Sequence, residues 1–152
     1  MPKLGMERIR RRVVIDAAIA EVGRAGSLDV TVGQIARRAG VSAALVHHYF
    51  GSKDAVFLAV LRAILREFGS DARARLARAV GPRARLAAIV EACFDERQCD
   101  PDLVGAWLAF YLSAQASPET RRLLAIYRRR LHANLVHELA RLVDRPRAER
   151  IA

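Results

Sequence analysis

Apolar residues along this chain recur at three- and four-residue spacings. Only the short Val13-Val14 and Val30-Thr31-Val32 fragments favour a strand, so the pattern predicts an all-α protein. A first helix is expected from about Met6 to Arg24, with Ile9, Val13, Ala17 and Ala20 on one face and a stop at Gly26. Val32, Ile35, Ala36 and Ala39 then share the face of a short helix opened by a Thr31–Gln34 capping box. Gly40 supplies the left-handed residue that ends it, and Ser42 caps a second short helix whose Val41, Val46 and Phe50 point back at the first. A long helix should begin near Ser52 to Asp54 and run to about Val80, its face formed by Val56, Leu58, Val60, Leu61, Ile64, Leu65 and Phe68. Gly81-Pro82, Asp100-Pro101 and Ser117-Pro118 put prolines at first helical positions and predict helices over about 83–98, 101–115 and 118–143. Arg145-Pro146 opens one more, just before the last residue, Ala152.

Charge sharpens this picture. Of 152 residues, 26 are Lys or Arg and 16 are Asp or Glu, a formal charge of +10 that favours a polyanionic partner. Residues 1–53 carry nine cations against four acids, nearly double the net charge density of the remainder. No apolar h-region follows the basic start and no run reaches a membrane span, so a cytoplasmic protein is expected. The spacing of Cys93 and Cys99 suits neither a CxxC pair nor a zinc site. No Ser/His/Asp order, Gly-rich phosphate loop or HExxH is present, which argues against an enzyme.

The two short helices, at about 31–50, have the form of a helix-turn-helix whose second member enters the major groove. Ser42, Ala43, Ala44, Leu45, His47 and His48 are candidates for its outward face. Tyr49, Lys53, Thr31 and Arg37 or Arg38 are candidate phosphate contacts, and Arg10 to Arg12 lie where an N-terminal arm could follow the backbone. Structural alternatives stay open: a solvated basic face, or a helical interaction protein that does not bind DNA. A His47-His48 metal pair is disfavoured because neighbouring residues diverge on a helix.

The stretch TVGQIARRAGVSAALVHHYFGSKDAVF resembles the signature of the TetR family of regulators. Its elements are an Ile-Ala-x-x-Ala-Gly-Val-Ser core, then Tyr49-Phe50 and Ser52-Lys53. Leu45 and His47 stand where the family commonly has Thr and Tyr, so the operator sequence does not carry over. MPKLGMERIRRR, FDERQ, AWLAFY and RRRLHANLVHEL extend the similarity to that family's choline-responsive repressors of glycine betaine synthesis. The resemblance implies a DNA-binding domain over 8–68, a helical ligand-binding and dimerisation domain over 69–152, and no cofactor. It also implies a repressor that binds double-stranded operator DNA as a homodimer and is released by choline. A cationic drug or a fatty acyl compound is the alternative effector.

Trp107, Phe110 and Tyr111 share a face at i, i+3 and i+4, near Phe94, Asp95 and Glu96, and Tyr127 on the next helix could close a cage. Aromatic faces with a carboxylate suit a quaternary ammonium, which donates no strong hydrogen bond. The same stripe is also ordinary core packing. In the family the last two helices pair two subunits. The apolar segment expected after Arg150 does not arrive, so a truncated chain with weak operator binding is expected.

Overall fold

The structure is a computed structural model that describes residues 3–152, with the side chains from Gly5 onward. Among the described residues eight helices follow one another: α1 (Lys3–Ala25), α2 (Val32–Ala39), α3 (Ala43–Phe50), α4 (Lys53–Arg78), α5 (Pro82–Cys93), α6 (Pro101–Ser113), α7 (Pro118–Leu139) and α8 (Arg145–Ile151). The described residues contain no strand. No helix among them is long and apolar enough to cross a membrane.

Side-chain caps explain where most helices begin. Asp100 Oδ1 accepts from the Leu103 N–H at 3.0 Å, Ser117 Oγ from Thr120 at 3.2 Å and Asp144 Oδ1 from Arg147 at 2.9 Å. Proline follows directly at the start of α6 and α7, where a missing N–H costs nothing. The α5 helix ends at Cys93, five residues short of the expected 98. Asp95 is the physical reason. Its carboxylate accepts from the Arg97 N–H at 3.1 Å and its carbonyl from the Gln98 N–H at 2.8 Å, which closes a turn in place of another helical one.

One apolar core runs through the molecule. Val14, Ala18 and Val22 of α1, Ile35 of α2, Val46 of α3 and Leu61 of α4 are fully or almost fully enclosed, and Ala106 and Phe110 of α6 join them. The buried face of α1 differs from the expected one. Ala17 is buried, but Ile9 and Val13 are 56% and 42% exposed, and Val14, Ala18 and Val22 take their place. That face lies one residue, about 100°, further round the helix. The shift follows from contact with α6. A Cβ placed on Gly23 would stand 2.5 Å from the Asp102 backbone, and one on Gly105 would stand 3.0 Å from Gly23 Cα. Two glycines thus let α1 and α6 cross backbone on backbone, a contact invisible to apolar periodicity.

Candidate nucleic-acid interface and effector site

The turn between α2 and α3 is built by local chemistry. Thr31 Oγ1 accepts from the Gln34 N–H at 3.2 Å, and the Thr31 N–H donates to Gln34 Oε1 at 2.7 Å, closing the capping box. Gly40 adopts φ 66° at the end of α2, a conformation that costs other residues about 1 kcal/mol. Ser42 Oγ accepts from the Leu45 N–H at 3.1 Å and starts α3. Val46 is fully buried, with Val41 and Phe50 packed against the same core. The opposite side of α3 carries Ser42, Ala43, Ala44, His47 and His48, all exposed, while Leu45 is half-buried at its edge. His47 Nδ1 lies 2.9 Å from the Gly51 carbonyl. A carbonyl only accepts, so Nδ1 is the donor in this contact, which leaves Nε2 turned away from the Gly51 carbonyl.

The candidate cations divide into two sets. Arg37 is exposed and makes no ion pair among the described residues, whereas the Arg38 guanidinium is held by Glu21 of α1. Lys53 opens α4 with Nζ 5.5 Å from the Phe57 ring centroid, and Tyr49 is half-buried, its ring 5.5 Å from that of His48. Arg10 to Arg12 do not form an arm, because α1 already begins at Lys3. Arg11 donates to the Tyr49 carbonyl and its guanidinium carbon lies 4.5 Å from the Phe50 centroid, tying α1 to the end of α3. Arg12 pairs with Asp16 at 2.9 Å and with Glu67. The hydrogen bond that Arg12 donates to Asp16 outweighs burial and, with Glu67, raises the Arg12 pKa above the ordinary guanidinium value. Of these three, Arg10 alone is exposed without an ion pair among the described residues.

A second cluster lies between α4, α6 and α7. The Tyr127 ring is 5.5 Å from Trp107 and 5.2 Å, edge-on, from Phe68, and Trp107 stacks on Tyr111 at 5.9 Å. Burial, with Cys93 and Tyr111 adding to it, pushes the Tyr127 phenol well above its ordinary value, so the ring stays neutral. Burial likewise raises the Cys93 thiol. Three of the six sequence candidates, Trp107, Tyr111 and Tyr127, come together here. The other three do not. Phe110 turns into the core at 1% exposure, because i+3 from Trp107 points toward α1. Phe94 is 73% exposed at the end of α5, and Asp95 is held by Arg75 of α4. Phe68 joins the ring cluster without having been a candidate, since its place on the apolar stripe of α4 read as core.

Residues 14–60 match the family described as bacterial regulatory proteins, tetR family, and residues 82–152 match "BetI-type transcriptional repressor, C-terminal". The HTH-type transcriptional regulator BetI of Brucella anthropi is 57% identical over all 152 residues, which span 78% of that relative. The chain belongs to the TetR family, in its BetI-type group. BetI of Agrobacterium fabrum is 55% identical over the whole chain, which covers 74% of its length. Among solved structures, a transcriptional regulator from Pseudomonas aeruginosa PAO1 superposes with a TM-score of 0.78 at 30% identity. That match covers 89% of this chain and 65% of the other, slightly under two thirds. A regulator from Saccharomonospora viridis in complex with choline shares the fold, with a TM-score of 0.77 at 24% identity over 92% of this chain and 69% of the other. This TetR-family member is therefore a DNA-binding transcriptional repressor and not an enzyme.

Proposed function

We propose that this repressor controls the choline-to-glycine betaine genes and lets go of its operator when choline binds. In this reading residues 8–68 hold DNA, and residues 69–152 bind the effector and pair two copies into a homodimer. The core of α1 to α4 continues into α6, so the two parts share packing as well as helix α4.

The exposed face of α3, anchored by buried Val46 and capped at Ser42, carries the DNA reading. Ala43 and Ala44 are small enough to meet thymine methyls, and His47 Nε2 can accept from an exocyclic amine, with Leu45 and His48 flanking them. Thr31, Arg37, Tyr49 and Lys53 face the phosphates, joined by Arg38 if DNA displaces Glu21. The Phe68, Trp107, Tyr111 and Tyr127 cluster supports an effector whose charge is met by ring faces. Choline is favoured because the BetI resemblance implies it and a structure of the same fold was solved with it.

Fluorescence anisotropy on DNA from upstream of betaine-synthesis genes tests both halves. Affinity for that duplex should exceed that for random DNA and fall when choline is added. Arg37→Ala and Lys53→Ala should each lower the log–log salt slope by about 0.9. Trp107→Ala should leave DNA binding intact and weaken choline by about 1–2 kcal/mol, roughly five- to thirtyfold. Equal affinity for random DNA refutes the operator reading. An unchanged complex at saturating choline, with no change in Trp107 emission, refutes the effector reading.

A further inference from the structure

Among the described residues, a single ion pair crosses from residues 8–68 to residues 69–152: Arg97 with Glu67. Glu67 also holds Arg12, so one carboxylate of α4 is shared by α1 and by the turn between α5 and α6. Arg12 is steadied by Asp16 at 2.9 Å. Beside it in sequence, Arg11 donates to the Tyr49 carbonyl at the end of α3. On the other side, Arg75 of α4 holds Asp95 of the same turn, and Asp100 closes the turn by capping α6. Polar contacts thus run from the end of α3, through adjacent arginines of α1 and Glu67, to the residues just before the helix that carries Trp107 and Tyr111.

Two further observations give this bridge a mechanical role. A cavity of about 490 Å³ lies between α1, α4 and the turn, lined by Asp16, Glu67 and Arg97 together with Ile19, Ile64 and Leu103. Close packing passes a displacement on, whereas open space absorbs it, so across this gap the charged bridge ties the turn to α1. The second observation is the backbone crossing of α1 and α6 at Gly23 and Gly105. It lies eleven residues along α1 from Arg12, about 16 Å at helical rise. A rigid helix held at one point can tilt about it. Held at a second point 16 Å away, roughly three turns off, it cannot.

We propose that Glu67 is a positioning residue: its bridge to Arg12 and Arg97 sets the tilt of α1 about the Gly23 crossing and so passes a displacement of α6 to the end of α3. The second half of this statement rests on the reading of the ring cluster as an effector site and of α3 as the DNA-reading helix. Glu67 touches neither DNA nor effector in that scheme. It acts through Arg12, while Arg11, one residue away, fixes the end of α3 at Tyr49. Charge-assisted contacts suit this task because they are directional and hold across a gap that apolar side chains leave open.

Fluorescence anisotropy on the duplex from upstream of betaine-synthesis genes, with and without saturating choline, gives the factor by which choline weakens DNA binding. Glu67→Gln and Arg97→Gln should each lower that factor at least about threefold. Trp107 emission should show choline still bound, and the melting temperature should stay within about 4 °C of the parent's. Glu67→Gln removes a negative charge and Arg97→Gln a positive one, so general attraction to DNA shifts in opposite directions and cancels in the factor. Arg97→Lys should keep the parent factor, as should Arg145→Gln, which breaks a pair outside the bridge. A parent-like factor in Glu67→Gln or Arg97→Gln, or a factor lost together with choline binding, overturns the proposal. A parent that ignores choline sinks the effector reading instead, and hydrogen exchange then judges the bridge. The Gly51 amide, bonded to the His47 carbonyl at 2.8 Å, should exchange about threefold faster in Arg97→Gln; an unchanged rate overturns the bridge.

Discussion

Replacing Gly23 with alanine tests the contact that decides how α1 lies in this fold. The new Cβ would stand 2.5 Å from both Cα and C of Asp102, against the roughly 3.5–4.0 Å at which carbon atoms pack well. Backbone cannot swing aside as a long side chain does, so α1 and α6 must part by about 1 Å. A gap of that size forfeits a quarter to a half of each dispersion contact it opens. The contacts at risk belong to Val22, Ala18, Leu103 and Ala106, which are 0–8% exposed. Overpacking of this kind costs about 1–3 kcal/mol and more where backbone is the obstacle, and alanine returns about 1 kcal/mol in helix propensity. At the upper end of that range, a net loss of about 1–2 kcal/mol lowers the melting temperature by roughly 2–8 °C in a chain of this size. Thermal melts followed at 222 nm measure it, with Gly33→Ala as control. A Cβ at Gly33 meets only Thr31 Oγ1, at 3.8 Å, so this substitution should be neutral or slightly stabilising. A Gly23→Ala protein that melts at or above the parent temperature would refute the backbone crossing.

Thr31→Ala removes half of the capping box of an eight-residue helix and should cost about 1 kcal/mol, read as a lower urea midpoint at unchanged slope. Arg11→Ala strips a donor from the Tyr49 carbonyl and a cation from the Phe50 face. It should cost about 1–2 kcal/mol by the same assay and weaken operator binding by loosening the end of α3. Burial pushes the Glu138 carboxyl up, but Arg85 and Arg141 outweigh it and hold the group below its ordinary value of 4.5. Its contribution is therefore full above that pH and lost as the pH falls through the folded value, so melts of the parent and of Glu138→Gln should differ at pH 7 and converge in acid.

Much of the fold was legible because its signals are local. Proline after a capping Asp100 or Ser117 marks a helix start from three residues of sequence, and both starts lie where they were expected. Thr31 with Gln34, and Gly40 with Ser42, specify the α2–α3 turn in the same way. Long-range pairings left no such mark. Arg38 reads as a free cation beside Arg37, and only the packing of α2 on α1 brings Glu21 to it. Asp95 reads as a partner for a cationic ligand, and only the fold sets Arg75 of α4 against it. Phe68 is indistinguishable in sequence from its buried neighbours Ile64 and Leu61, because its role depends on which helix crosses it.

The ring cluster was half legible for a reason that lies in α6 itself. A helix turns 100° per residue, so three consecutive positions face three partners. Gly105 meets α1, Ala106 and Phe110 enter the core, and Trp107 meets Tyr127 of α7 while stacking on Tyr111. The i, i+4 pair Trp107 and Tyr111 therefore stays together, while Phe110, at i+3, falls on the core side of the same arc. One short helix thus serves α1, the core and the rings at once. A bulky change at Trp107 moves α6 against α1 as well as against a ligand. Loss of an effector response can then be assigned to the rings only where the melting temperature and the affinity for DNA stay at their parent values, which is the condition that separates Trp107→Ala from Gly23→Ala.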